Sequence, residues 1–372
     1  MKNDGICIVA HTNDLSGANR ALIELVEGLN KLHGNIHVAL PRKGKVVEEL
    51  EKNNISYNIL GYTSWIDHKG HIYKKIIKMI INFIKQVQFL WFCKKNNIGL
   101  VHYNSSAVGI GANLFKLFNI RYIYHIREFI DNKNIKYHSF KSAKKIFNNA
   151  HTLIAISESV KEKCKQIGID GNWIIISDGV SVKQKNIYKE ADYRNGIIVG
   201  AVENNKGQFE AVKAVNELNK KGIEFTLYVV GPILDTKYHS QIMIYVQQNN
   251  LQKNIIWVGE TDDVDLIRKK CGIALVCSKY EAFGRVTAEA MTIGEIVIGA
   301  NVGATAEIIS DGYNGILYDI DSTYDLCEKI KRIIIDKDKY YKIIDNAKNT
   351  VDTKYTKEQC ITKVSQLYKQ IE

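Results

Sequence analysis

The sequence predicts an α/β protein made of two doubly wound parallel sheets, and three observations point there. Short β-branched runs recur between helix-length amphipathic segments, the pattern of parallel strands joined by crossover helices. A polar stretch, SVKQKNIYKEADYRN (181–195), interrupts the alternation, which then restarts. The chain has 372 residues, 45% of them hydrophobic, enough for two domains that each bury a core. Collagen-like, coiled-coil and disordered chains have other compositions.

In the first half the strand candidates are GICIVA (5–10), IHVAL (36–40), LVHYN (100–104), YIYHI (122–126), TLIAIS (152–157) and WIIIS (173–177). In the second they are GIIVGAV (196–202), FTLYVVG (225–231), IIWVG (255–259), IALVCS (273–278), IVIGAN (296–301) and GILYD (315–319). Leu22, Leu25, Val26, Leu29 and Leu32 follow helical spacing, so an amphipathic helix starts at about Gly17. Thr356 and Gln359 stand in capping-box spacing before Ile361, Val364, Tyr368 and Ile371, which share one helical face. The expected domains are 1–185 and 186–352, with 353–372 a terminal helix that has a surface to bury.

Charge divides the chain. The first 190 residues hold 28 basic and 15 acidic side chains, and the remainder 23 and 25. From His68 to Arg127 there is no acid, while ten basic residues occur, a surface suited to an anionic partner. Within it, IYKKIIKMIINFIKQVQFLWFCKK (72–95) has apolar residues on more than one stripe, interrupted by Lys78 and Lys85. Its longest uncharged apolar stretch is shorter than the roughly 20 residues that span a bilayer. Two readings stay open: a helix lying on a membrane surface, and a buried packing helix with a solvated lysine face. Nucleic acid is not expected as a partner, since no motif for it accompanies the charge. Seven cysteines without a CxxC pair read as free thiols in a reducing compartment. The opening MKNDGICIVAHTND carries polar residues where a signal peptide needs an apolar core, so a cytoplasmic protein is expected.

Ligands of open parallel sheets bind beyond the carboxyl ends of the strands. Four features lie there. In AHTNDLSGANRAL, Ser16 and Gly17 open a helix where a ligand can approach backbone N–H groups, although glycine at a tight turn has the same composition. In VGAVENNKGQFEAV, Lys206 and Gly207 place a cation at a helix start, suited to phosphate unless Lys206 is a solvated surface residue. In SKYEAFGRVTAEAM, Glu281 follows a strand and Glu289 lies two helical turns on, in a small apolar setting where a sugar diol would satisfy it. Phe283, Gly284, Arg285 and Val286 supply the first backbone N–H groups of that helix. A salt bridge or helix-end charge is the other reading of each glutamate. Asp263, Val264 and Asp265 spell DxD but read as helix capping, and His68 and His71 lack the partners of a metal site. The first strand turn has no G-x-G-x-x-G, which counts against a nicotinamide or flavin dehydrogenase.

Taken in order, Lys206, Gly207, Glu281 and Glu289 followed by GANVGATAEIISDGYNGILYD resemble the retaining nucleotide-sugar glycosyltransferases of GT-B architecture, family 4. SGANRALIELVEGL, YIYHIREF, IAISESVKE and ISDGVSV extend the resemblance over nearly the whole chain. It implies two Rossmann-like domains facing across a cleft, with the terminal helix crossing back to the first. It implies transfer of a hexose from a nucleoside diphosphate sugar to an acceptor hydroxyl, without a cofactor or divalent metal. Catalytic roles fall on Glu281, His125 and Lys206: Lys206 neutralises the diphosphate, His125 contacts the sugar, and Glu281 faces its hydroxyls and reacting centre. Donor binding falls on Gly17, Lys206, Phe283, Gly284, Arg285, Val286 and Glu289, the last holding the ribose. Lys74, Lys75, Lys78, Asn104 and Arg127 are candidates for the acceptor or membrane side, the acceptor being a saccharide or lipid-linked saccharide of a capsule or lipopolysaccharide. Two positions depart from the family: Ala201 stands where an arginine often follows the strand glycine, with Arg285 as candidate replacement, and Gly303-Ala304-Thr305 replaces a Gly-Gly. The alternatives are a nucleotide-sugar epimerase and a non-catalytic nucleotide-sugar-binding subunit.

Overall fold

The computed structural model describes residues 5–15, 17–66, 72–130, 137–182, 191–261 and 263–371, without the side chains of 72, 74 and 75. The chain divides into two compact units, Met1–Gly179 with Lys357–Glu372, and Val180–Thr356.

The first unit runs β1 (Gly5–Val9), α1 (Gly17–His33), β2 (Ile36–Leu40), α2 (Lys45–Lys52), β3 (Ser56–Ile59), α3 (Ile72–Lys95), β4 (Ile98–Tyr103), β5 (Arg121–Ile126), α4 (Phe140–Asn148), β6 (Thr152–Ala155), α5 (Glu158–Gln166) and β7 (Trp173–Ile175). Its strands pair in parallel in the order β3-β2-β1-β4-β5-β6-β7. β1 is buried along its whole length, as a central parallel strand covered on both faces must be. β3 was not expected from the sequence. Its residues, Ser-Tyr-Asn-Ile, are mostly exposed because it is an edge strand with no apolar run to announce it. In α1 the apolar face is buried as spaced, except Leu32 in the last turn, which stays exposed.

The second unit runs β8 (Asp192–Val199), α6 (Gln208–Lys220), β9 (Thr226–Val230), α7 (Thr236–Gln248), β10 (Ile255–Gly259), α8 (Val264–Arg268), β11 (Cys271–Val276), α9 (Arg285–Ile293), β12 (Ile296–Ala300), α10 (Gly303–Ile308), β13 (Ile316–Tyr318), α11 (Thr323–Ile335) and α12 (Tyr341–Lys354). Its parallel order is β10-β9-β8-β11-β12-β13. Strand order therefore reverses between β1 and β4 in one sheet and between β8 and β11 in the other. At such a switch the outgoing loops diverge and leave a crevice at the carboxyl ends of the strands. Serine or aspartate side chains cap α4, α5, α7 and α11 by accepting from the backbone of the first turn.

The last helix, α13 (Lys357–Ile371), belongs to the first unit and buries Cys360, Val364, Tyr368 and Ile371 in its core. The seven cysteines are free and buried. Gly28 of α1 meets α13 so closely that a Cβ there would lie 2.3 Å from Ile361 Cδ1. Gly28→Val is expected to lower unfolding free energy by about 1–3 kcal/mol through overpacking. The same change combined with Ile361→Ala recovers part of the loss, as read by a double-mutant cycle in urea.

Candidate active site

In the second unit two loops flank the β8/β11 switch, and the backbone stitches them together. The Lys279 N–H donates to the Asn205 carbonyl at 2.8 Å. The Asn205 side chain donates to the Tyr280 carbonyl at 3.2 Å and accepts from the Tyr280 N–H at 3.1 Å. Gly207 sits against the end of β11: with φ +68°, a Cβ there would stand 2.2 Å from the Cys277 carbonyl oxygen. Only glycine satisfies both the left-handed backbone and that approach. Held between these stitches, Lys206 Nζ donates to Glu281 Oε2 at 3.0 Å, the side chains 24% and 18% exposed.

Glu281 is fixed further by its carbonyl, which accepts from the Ala304 N–H at 3.0 Å at the start of α10. Its side chain lies over Gly284, whose missing Cβ would be 3.5 Å from Glu281 Cγ. Gly284 (φ 84°) turns the chain into α9 without a side-chain cap, so the helix opens here with its positive dipole end. Phe283 is buried against Tyr355, ring centroids 5.9 Å apart. Lys206, Glu281 and the opening of α9 thus gather at one place. Glu289 is engaged instead with Arg285, whose Nε donates to Glu289 Oε1 at 3.2 Å. Arg285 therefore already has a carboxylate, and service as a replacement phosphate cation would require that pair to part. Sequence reasoning passed over Thr287 and Thr305 in the first turns of α9 and α10, whose buried hydroxyls have no hydrogen-bond partner among the described residues. Asp263 caps α8 by accepting from Leu266 N–H, the capping that its sequence position suggests.

In the first unit Gly17 opens α1, and a Cβ added there meets nothing within 4 Å, so its backbone faces open space. Ser16, like His68 and His71, lies outside the described residues. Asn104, just beyond β4, donates to the Ala18 carbonyl at 3.2 Å and accepts from Arg127 Nε at 3.1 Å. Arg127 also forms a buried ion pair with Asp178 and reaches His125 Nδ1 at 3.1 Å. A guanidinium only donates, so His125 Nδ1 accepts and its proton sits on Nε2. His125 has no exposed surface and its ring stacks on His102, centroids 5.5 Å apart. A direct sugar contact by His125 would require its ring edge to be uncovered. Glu128, which the sequence reading did not single out, accepts from Ser105 Oγ at 2.8 Å, from the Ser106 N–H at 2.6 Å and from the Ser106 hydroxyl. Its signal was its place next to Arg127 in the HIREF landmark. Lys74, Lys75 and Lys78 lie on α3, apart from these loops in sequence, and the side chains of Lys74 and Lys75 are outside the description. Among the described residues no three His, Cys, Asp or Glu side chains gather as metal ligands.

Two family models match end to end: "Glycosyltransferase Family 4" over residues 15–184 and "Glycosyl transferases group 1" over 181–350. The chain belongs to glycosyltransferase family 4. Among its relatives, an uncharacterized glycosyltransferase of Methanocaldococcus jannaschii is 27% identical over 87% of this chain and 93% of its own. The capsular polysaccharide biosynthesis glycosyltransferase CapM of Staphylococcus aureus is 22% identical, covering 79% and 80%. In structure, HepE of Anabaena, solved with UDP, superposes with a TM-score of 0.83 at 18% identity, covering 98% of this chain and 100% of that one. The two parallel sheets of this family 4 glycosyltransferase are the Rossmann-like halves of the GT-B fold.

Burial is the main cause that holds both histidines neutral, with the Arg127 charge adding to it: His102 falls to about 3 and His125 well below the usual value. Unfolding restores ordinary basicity, so below about pH 6.5 the unfolded chain binds more protons and stability falls with pH. Between pH 7.5 and 5.5 each histidine is expected to remove about 1.4 kcal/mol. Urea titrations at the two pH values check this, and His102→Gln should flatten the dependence by one histidine's share.

Proposed function

We propose that this glycosyltransferase moves a hexose from a nucleoside diphosphate sugar to a hydroxyl of a lipid-linked saccharide, retaining the anomeric configuration, in the assembly of a bacterial surface polysaccharide. One arrangement carries the reading: Lys206 and Glu281, paired at the β8/β11 switch, beside the uncapped start of α9. A diphosphate bound there exchanges the lysine's carboxylate partner for phosphate oxygens. Glu281 is then released to accept from sugar hydroxyls and to face positive charge at the anomeric carbon. In the reaction the bond from that carbon to the diphosphate oxygen breaks and the bond to the acceptor oxygen forms. The acceptor proton passes to a phosphate oxygen. Charge develops on the departing diphosphate, where a fixed ammonium and a helix dipole stabilise it without reorganisation. These groups meet that charge with no divalent metal. Solved complexes of HepE of Anabaena with UDP and UDP-glucose, and the capsular role in the name of CapM, support the donor class and the product class.

Lys206→Ala is expected to lower kcat/KM about 10²–10³-fold, with activity unchanged by a chelator. The measurement is nucleotide release over a panel of uridine and guanosine sugars with and without saccharide acceptor. Epimerised donor formed without acceptor would favour the epimerase instead, and donor binding without turnover a non-catalytic subunit. Unaltered kinetics in the lysine variant would remove Lys206 from the site.

The cytoplasmic enzyme, in this reading, meets its acceptor on the inner membrane face through α3. The helix carries no acid, and its segment Ile76–Lys95 is long and apolar enough to cross a bilayer by length and composition, yet only 22% buried. Phe83 and Trp91 are 70% and 65% exposed. That exposure disfavours the buried packing helix, because among the described side chains of α3 only those of the last turns, around Phe89, Phe92 and Cys93, reach the core. Lysines interspersed with insertable side chains suit a helix lying in an anionic interface. Phe83→Ser with Trp91→Ser is expected to weaken sedimentation with anionic vesicles at least tenfold, each large side chain contributing on the order of 1.5 kcal/mol or more when buried.

A further inference from the structure

We propose that the first unit carries a second anion site, formed by Lys116, Arg121 and Lys145, which receives the headgroup phosphates of an anionic membrane leaflet. It rests on the membrane reading of α3 and adds a site which that helix does not contain.

The three cations line a concavity of about 720 Å³ together with His151, Asn113 and Ile146, and no acid lines it. Arg121 is the first residue of β5, and His151 directly precedes β6. Asn104, Arg127 and Glu128 follow the carboxyl ends of β4 and β5. A six-residue strand is about 20 Å long, so the concavity stands at the opposite edge of the sheet from those loops and is not part of the candidate active site. Among the described residues none of Lys116, Arg121 and Lys145 forms an ion pair. Like charges converging on one hollow repel one another, and an anion relieves that repulsion.

The rim decides which anion. Leu117 and Phe118, on the short turn Phe115–Phe118 before β5, are exposed, Leu117 by 78%. That turn lies beside α3, with Phe115 and Phe89 ring centroids 5.8 Å apart. Asn113 and Ile146 are shared with a second cavity of about 270 Å³, walled by Met79 and Phe83 of α3. The cationic hollow thus shares wall residues with a cavity that is lined by the apolar face of the helix. A site for a free anion in water has no use for large apolar neighbours, whereas a leaflet presents phosphates at the depth where such side chains enter its hydrocarbon.

The test compares wild type, the Phe83→Ser/Trp91→Ser variant and Lys116→Ala/Arg121→Ala/Lys145→Ala by sedimentation with vesicles of phosphatidylcholine alone or with phosphatidylglycerol, thermal melts confirming that each variant folds. The triple alanine variant is expected to lose roughly 100-fold in affinity for phosphatidylglycerol vesicles and to match wild type on phosphatidylcholine. Undiminished binding by the triple variant, with loss in the Phe83/Trp91 variant, overturns the phosphate site and leaves the helix reading standing. Absence of vesicle binding by wild type overturns both. Inorganic phosphate that raises the melting temperature of wild type but not of the triple variant, with equal vesicle binding by the two, assigns the hollow to a free anion and also overturns the proposal.

Discussion

The close approach of Gly207 to the Cys277 carbonyl is the constraint on which the catalytic half depends. Two loops leaving a topological switch point naturally diverge, and nothing in a parallel sheet obliges their side chains to meet. Here the absent Cβ lets the loop after β8 settle on the end of β11, and the Asn205 bonds to Lys279 and Tyr280 lock it there. Lys206 lies between Asn205 and Gly207, and Glu281 directly follows Tyr280. Their ion pair is therefore a consequence of backbone registration rather than of two long side chains finding each other. This lowers the entropy cost that normally offsets a partly exposed salt bridge, and it pre-positions the ammonium before any ligand arrives.

The first unit handles its switch point differently. Asn104 bridges the loop after β4 to the start of α1, and Arg127 ties that bridge to Asp178 beyond β7. A buried guanidinium needs its carboxylate, since leaving either charge unpaired in low dielectric is costly. The neighbouring His102 and His125 are then held neutral, first by their burial and next by the charge of Arg127. Rigidity at this end of the sheet is thus electrostatic, whereas at the β8/β11 switch it comes from backbone packing.

The alternation of apolar strands and amphipathic helices was legible in the sequence because both sheets are buried on their two faces, so almost every strand carries a β-branched run. β3 escaped because an edge strand makes only one ladder and needs no such run. Lys206, Glu281 and the α9 turn were legible because backbone chemistry dictates small residues around them. The Arg285–Glu289 pair was not: i and i+4 spacing allows contact, but which neighbour a glutamate chooses depends on where the helix faces. Glu128 was hidden for a similar reason. Its serine partners come from a loop some twenty residues upstream, and only strand pairing of β4 with β5 brings them together.

The charge imbalance also has a structural account. The first unit's cations include those of α3, the Phe115–Phe118 turn, β5 and α4, and among the described residues Lys116, Arg121 and Lys145 form no ion pair. Large apolar side chains are exposed along α3 and that turn. A water-facing surface gains solubility from lysines alone and loses it with each exposed phenylalanine or tryptophan. The membrane contact proposed above reconciles the two features, because a bilayer surface is charged on one side and apolar on the other. In the second unit, near charge balance, Lys206 meets Glu281 at close range. Under the proposed function the same residue type neutralises leaving-group charge where its geometry is fixed by an ion pair, and would confer surface affinity where it is repeated along α3.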